Sequence, residues 1–187
     1  MTRLAVVLVA FVVAAEGCAS GSQASSSSTS IQIAGAKTCP SNQAQDLTFS
    51  GGITGHIGCS VLAPACHRIS GPHSPGVKVL IGAMAGTKPV DLQIAFGNDH
   101  LGSFSATSIG DVPALDQQGV TLTGIGSWSS TAGTLTVSVE KAPTLDTQGL
   151  VSGSMDVKLT SASAAAQVVG GWTCYKTLAG GDGWSNA

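Results

Sequence analysis

Charge is what this sequence most lacks. Asp, Glu, Lys and Arg make up 10% of its 187 residues, where roughly 25% is usual for soluble chains. The surface must therefore be made largely of Ser, Thr, Gln and Gly. The 8 basic and 10 acidic residues leave a net charge of -2 and form no basic cluster. This predicts no nucleic-acid partner and no polybasic membrane patch. Aromatic residues are also few, at 4%, so a flat sugar-stacking platform could draw only on Trp128, Trp172, Trp184 and Tyr175. Simpler places exist for the tryptophans: Trp172 in the core beside a cysteine, Trp128 packing at a strand end, Trp184 in a tail. Past the N-terminal region no window has helical periodicity, and no long apolar runs alternate with helices, which excludes a parallel α/β sheet.

Catalytic signatures are missing too. There is no Gly-x-Ser-x-Gly elbow and no His-Glu-x-x-His. Ser138-Val-Glu-Lys141 has the Ser-x-x-Lys spacing, but it closes a strand pattern instead of opening a helix. Serine is abundant enough that Ser/His/Asp combinations carry no information. The four histidines are His56, His67, His73 and His100, and a metal site needs two or more to converge. Cys66-His67 with His73 comes nearest to ligand spacing, yet Cys66 reads as half of a disulfide. The expectation is a protein that is not an enzyme, with no cofactor and no metal.

The N-terminal region is the most legible part. Arg3 precedes a twelve-residue apolar run at 4–15, then Cys18 between small residues, then a serine-rich stretch at 20–30. Twelve residues suit a signal-peptide core and are too few for a membrane span. Ala-Glu-Gly-Cys-Ala-Ser around Cys18 resembles the lipobox of bacterial lipoproteins. That resemblance implies cleavage before Cys18, a diacyl (palmitate-type) lipid on it, and residence on the extracytoplasmic face of the cell membrane; a secretory cut near Ala19 is the alternative. With Cys18 lipidated, four of the five cysteines remain for two disulfides. A Gly/Ser tether of this kind spans roughly 25 Å. The expected organisation is a signal peptide at 1–17, a lipidated cysteine and tether at 18–36, one domain at 37–178 and a flexible tail at 179–187.

Within the domain, period-two alternation marks strands at 46–50, 53–61, 77–82, 90–96, 101–108, 120–128, 133–140, 151–160 and 168–175. Residues 133–140 alternate most cleanly, with Leu135, Val137 and Val139 on one side. The segment 62–76, with three prolines, reads as a loop, and 31–37 as the way out of the tether. Eight to nine short half-buried strands divided by turn signals predict an all-β fold, an antiparallel Greek-key or immunoglobulin-like β-sandwich. Lipobox, serine tether, early strand cysteine and closing Gly-Trp-Thr-Cys together resemble small bacterial surface lipoproteins of unassigned function. The resemblance implies location and fold, and no site residues.

Four cysteines permit three pairings. Cys59 and Cys174 occupy apolar-facing strand positions and are expected to bridge the two sheets. Cys39 and Cys66 lie in irregular proline-bearing segments and are expected to form a surface staple. The function expected is a membrane-tethered envelope or interaction module. A carrier of small apolar ligands is the alternative and a divergent hydrolase the third.

Overall fold

A computed structural model describes residues 30–40, 43–69, 76–97, 101–109, 117–141 and 149–176. Its regular elements are β-strands: β1 (Ile31–Ala34), β2 (Ala44–Gly51), β3 (Ile53–Cys59), β4 (Ala65–Ile69), β5 (Gly76–Ala85), β6 (Lys88–Phe96), β7 (Gly102–Ser105), β8 (Gln118–Thr123), β9 (Trp128–Lys141), β10 (Gly149–Thr160) and β11 (Ala165–Lys176). The alternation in the sequence is the cause. In β10, Val151, Met155, Val157 and Leu159 are buried while Ser154, Asp156 and Lys158 face water. In β2, Leu47 and Phe49 point inward between exposed Asp46, Thr48 and Ser50. Successive side chains of a strand alternate sides, so each such strand has one wet and one dry face.

Some boundaries differ from those the pattern suggested. Residues 120–128 hold a turn, and Trp128 opens β9 instead of closing β8. Gly51-Gly52 makes a true hairpin between β2 and β3. Two strands fall where none was expected. β4 lies inside the proline-bearing stretch, and β1 lies in residues assigned to the tether, with Ile33 buried.

Those two strands overturn the sandwich. Along the sheet the order is β1-β3-β2-β11-β10-β9-β8-β6-β5, and β1 pairs back onto β5 at Ala34 and Met84, which closes a nine-stranded barrel. β4 fills the remaining gap, pairing antiparallel with β5 and, through Ala65 and Tyr175, parallel with β11. β1 is parallel to β3, so the sheet is mixed and not purely antiparallel. Closure removes the unpaired edges that so weakly charged a set of strands would otherwise expose. The expected immunoglobulin-like sandwich is therefore corrected to a closed barrel.

The barrel interior is filled. Trp172, Phe96, Leu47, Ile57, Ile81, Leu92, Ile94, Leu122 and Leu135 are almost wholly excluded from solvent, each such burial being worth about 1.5–3 kcal/mol. Phe96 packs edge-on against Phe104 at 5.6 Å and tilted against Trp172 at 6.3 Å. Position 153 must be glycine because the Trp172 indole and the Thr136 carbonyl occupy the space a Cβ would need. Among the described residues only Leu62 and Val169 are large apolar side chains exposed to water.

Two buried serines sit where strands change neighbours. Beside the β1/β4 junction on β5, the Ser60 hydroxyl accepts from the Gly82 N–H at 3.0 Å and donates to the Gly82 carbonyl at 3.3 Å. Along one edge β9 pairs first with β8 and then with β7. At that change the Ser130 hydroxyl accepts from the Val120 N–H at 2.9 Å and donates to the Thr107 carbonyl. The serines thereby supply acceptors to the buried Gly82 and Val120 N–H groups, while the Gly82 carbonyl also accepts from the Val61 N–H at 2.9 Å.

The disulfide map differs from the expected one. Cys66 on β4 bonds Cys174 on β11, with Cα atoms 5.4 Å apart, a normal span for a cystine. Cys59 is buried and Cys39 exposed, both as thiols, so neither Cys59–Cys174 nor Cys39–Cys66 is formed. The expectation failed because Cys66 was placed in a surface loop. It belongs to a strand that lies beside β11.

Candidate functional site at the hairpin end of the barrel

Antiparallel order places four tight connections at one end of the barrel, joining β2 to β3, β5 to β6, β8 to β9 and β10 to β11. Because β1 runs parallel to β3, its first residue, Ile31, reaches the same end. Local chemistry makes the turns. Gly124 and Gly126 adopt φ of 95° and 107° between β8 and β9, conformations that favour glycine. Between β10 and β11, Ser161 accepts from the Ala164 N–H at 3.2 Å, and its own N–H donates to the Ala164 carbonyl at 2.9 Å, a serine-closed turn.

The β2–β3, β8–β9 and β10–β11 turns border a cleft of about 610 Å³. Ile31, Gly52, Ile125, Trp128 and residues 161–165 line it. Trp128 is itself buried and forms the inner wall. Its ring edge would stand 3.1 Å from a Cβ at Gly52, and its indole nitrogen lies toward Gly126. Glycine at 52 and alanine at 164 keep the cleft open, since a Cβ at 52 would approach the Ala164 methyl to 3.0 Å. A second cleft of about 530 Å³ shares Ile31, Ile125 and Gly126 and extends to Lys88 and Ala85. Neither cleft has an acidic residue in its lining.

The residues singled out in the sequence do not assemble into a catalytic centre. His56 meets Asp46 at 3.0 Å on the outer wall, both side chains exposed, which is a solvated polar contact of small energetic weight. His67 lies in β4; His73 and His100 lie outside the described residues. No group of three or more His, Cys, Asp or Glu side chains that could hold a metal ion occurs among the described residues. Ser138 sits within β9, hydrogen-bonded across the ladder to Ser152 at 3.1 Å, so the Ser-x-x-Lys spacing belongs to a strand. Trp128 and Trp172 are core residues; Trp184 lies outside the described residues. So does Cys18, with the whole stretch resembling a lipobox.

Apart from Trp128, an aromatic that the sequence singles out, the cleft residues gave no signal in the sequence. Ile125, Gly52 and Ala164 are ordinary turn residues; the β1–β3 ladder sets Ile31 beside Gly52, whose carbonyl accepts from the Ile31 N–H at 3.0 Å, and the strand order brings the other two turns to the same end. No family model, curated protein or solved structure matches this chain. The resemblance to small surface lipoproteins carrying a sandwich domain thus fails on its fold, which is a closed barrel. Its lipoprotein, signal-peptide and palmitate implications gain no support from any match. What the geometry defines is a packed, closed, mixed β-barrel with an apolar cleft at one mouth.

Proposed function

We propose that the barrel binds a small, mainly apolar molecule at its hairpin end, with Trp128, Ile31, Ile125 and Ala164 as the contact surface. The observation that carries this reading is the cleft of about 610 Å³ against the indole of Trp128, within the range of roughly 300–1,000 Å³ found for small-molecule sites. The filled interior leaves the mouth as the place for a ligand. Two further features support it. Among the described residues the outer wall is polar, with Leu62 and Val169 as its large apolar exceptions, so the apolar surface open to a ligand is concentrated at the cleft. Lys88, lining the adjoining cleft, suits a ligand with an anionic end.

Anilinonaphthalene sulfonate, an apolar ring system with one anionic group, is a direct probe. Titration should saturate at one equivalent with quenching of tryptophan emission. Ala162→Trp places bulk in the cleft from an exposed turn residue and should weaken binding at least about tenfold, the equivalent of roughly 1.4 kcal/mol. Equal affinity in both proteins, with unchanged melting temperature, would refute the site.

A further inference from the structure

Among the described residues, the two thiols outside the disulfide are neighbours. The Cys39 sulfur lies 3.6 Å from the carbonyl oxygen of Gly58, the residue before Cys59. Reciprocally, the Cys59 sulfur lies 3.5 Å from the carbonyl oxygen of Thr38, the residue before Cys39. The backbone holds this arrangement from both sides. After β1 the chain stays beside β3, with the Gly35 N–H on the His56 carbonyl at 3.4 Å and the Ala36 N–H on the Cys59 carbonyl at 2.8 Å. On the other side, the Gln43 carbonyl accepts from the Ser60 N–H at 3.0 Å. Cys39 is open to solvent and Cys59 is buried behind it.

We infer that Cys39 and Cys59 form a second disulfide, which clamps β1 onto β3 and so locks the barrel's closure. β1 is the strand most in need of a clamp. It has four residues, its ladder is with β3, and a single register pair, Ala34 with Met84, carries the closure onto β5. The environment that allows Cys66–Cys174 to persist is an oxidising one, and it supplies the oxidant, a low-molecular-weight disulfide.

The chemistry proceeds by two exchanges. Cys39, the accessible thiol, loses its proton and attacks one sulfur of the oxidant. The oxidant's S–S bond breaks, one small thiol leaves carrying a proton, and Cys39 holds the other half as a mixed disulfide. Cys59 then deprotonates and attacks the Cys39 sulfur, expelling the second small thiol. Two protein thiols and one small disulfide become one protein disulfide and two small thiols. The two electrons pass to the oxidant and the two protons end on the released thiols. Burial, with the adjoining Cys39 thiol, pushes the Cys59 thiol up to about 11, so the second exchange quickens as pH rises.

The test uses the full chain treated with oxidised glutathione at mildly alkaline pH, alkylated and digested without reduction. Peptide mapping should recover Cys39 joined to Cys59 together with Cys66 joined to Cys174. Alkylated Cys39 and Cys59, or a lasting glutathione adduct on Cys39, would overturn the inference. In Cys59→Ser the second exchange has no attacker, and glutathione should accumulate on Cys39 well above its wild-type level; an adduct no greater than in wild type would count against it. Hydrogen exchange tests the clamp itself. Amides of β1 should exchange at least about tenfold more slowly after oxidation, and an unchanged rate would show that the bond locks nothing.

Discussion

Removing the Cys66–Cys174 bond should cost this barrel a large part of its stability. The bond closes a loop with a sequence separation of 108 residues. In the chain-entropy account, a loop of that size costs the unfolded chain about 4.8 kcal/mol at 25 °C, on the order of half the stability of an ordinary domain. The native side of the balance points the same way. β4 meets β11 at one register pair, Ala65 with Tyr175, and through the cystine, while its longer ladder runs along β5. Both sulfurs are buried, so replacement by serine adds polar groups to the core. Cys66→Ala with Cys174→Ala is therefore the cleaner perturbation, because it removes the link without adding hydroxyls. Urea unfolding followed by circular dichroism should show a loss of about 4–5 kcal/mol. Thermal unfolding should fall by roughly 10–20 °C for a domain of this size. A loss under about 1 kcal/mol would refute the reasoning, since it would mean that β4 does not depend on the bond and that the unfolded chain is not constrained by it.

Two further outcomes follow from the seams and from the last strand. Ser60→Ala should destabilise by about 1–3 kcal/mol, because it leaves the buried Gly82 N–H without the acceptor it has at 3.0 Å; urea midpoints decide this, and a change within about 0.5 kcal/mol would show that another group takes over. Tyr175 is the one tyrosine of the chain, and burial raises its phenol above the ordinary value of 10.0. The folded barrel therefore holds the phenolic proton at pH values where the unfolded chain has released it. The stability so contributed is complete below pH 10 and is lost as pH rises through the folded value. A near-ultraviolet phenolate titration of the folded protein should have its midpoint above that of the urea-unfolded chain, and coincident midpoints would refute the shift.

Strand character was legible wherever one face of a strand is wet and the other dry. Leu135 and Val137 in β9, and Met155, Val157 and Leu159 in β10, alternate with hydroxyl and charged residues, and that contrast is a property of the linear chain. Gly51-Gly52 marked a break between strands, open to a hairpin or a bulge, while the turn at Gly124 to Gly126 was hidden inside a stretch, 120–128, whose apolar spacing reads as one strand. β1 and β4 were illegible for the converse reason. Four residues, Ile31 to Ala34, do not establish a period, and β4 is a strand because β5 and β11 offer it a place.

The same period-two code serves a sandwich and a barrel, since both bury one face of every strand. What separates them is whether the last edges meet. That rests on Ala34 reaching Met84 and Ala65 reaching Tyr175, contacts between residues about 50 and 110 positions apart that leave no mark on local pattern. Cysteine pairing followed the same rule, because the partner of Cys174 depends on which strand lies beside β11. The cleft is the furthest from the sequence of all. Ile31, Gly52, Ile125, Trp128 and Ala164 come from four separate parts of the chain, and the long-range pairing of the strands sets them around one mouth. Composition and alternation by themselves determined a polar-walled, apolar-cored, all-β domain. Tertiary structure alone decided that it closes, which cysteines meet and where the cleft opens, because each of those is a matter of distance between residues remote along the chain.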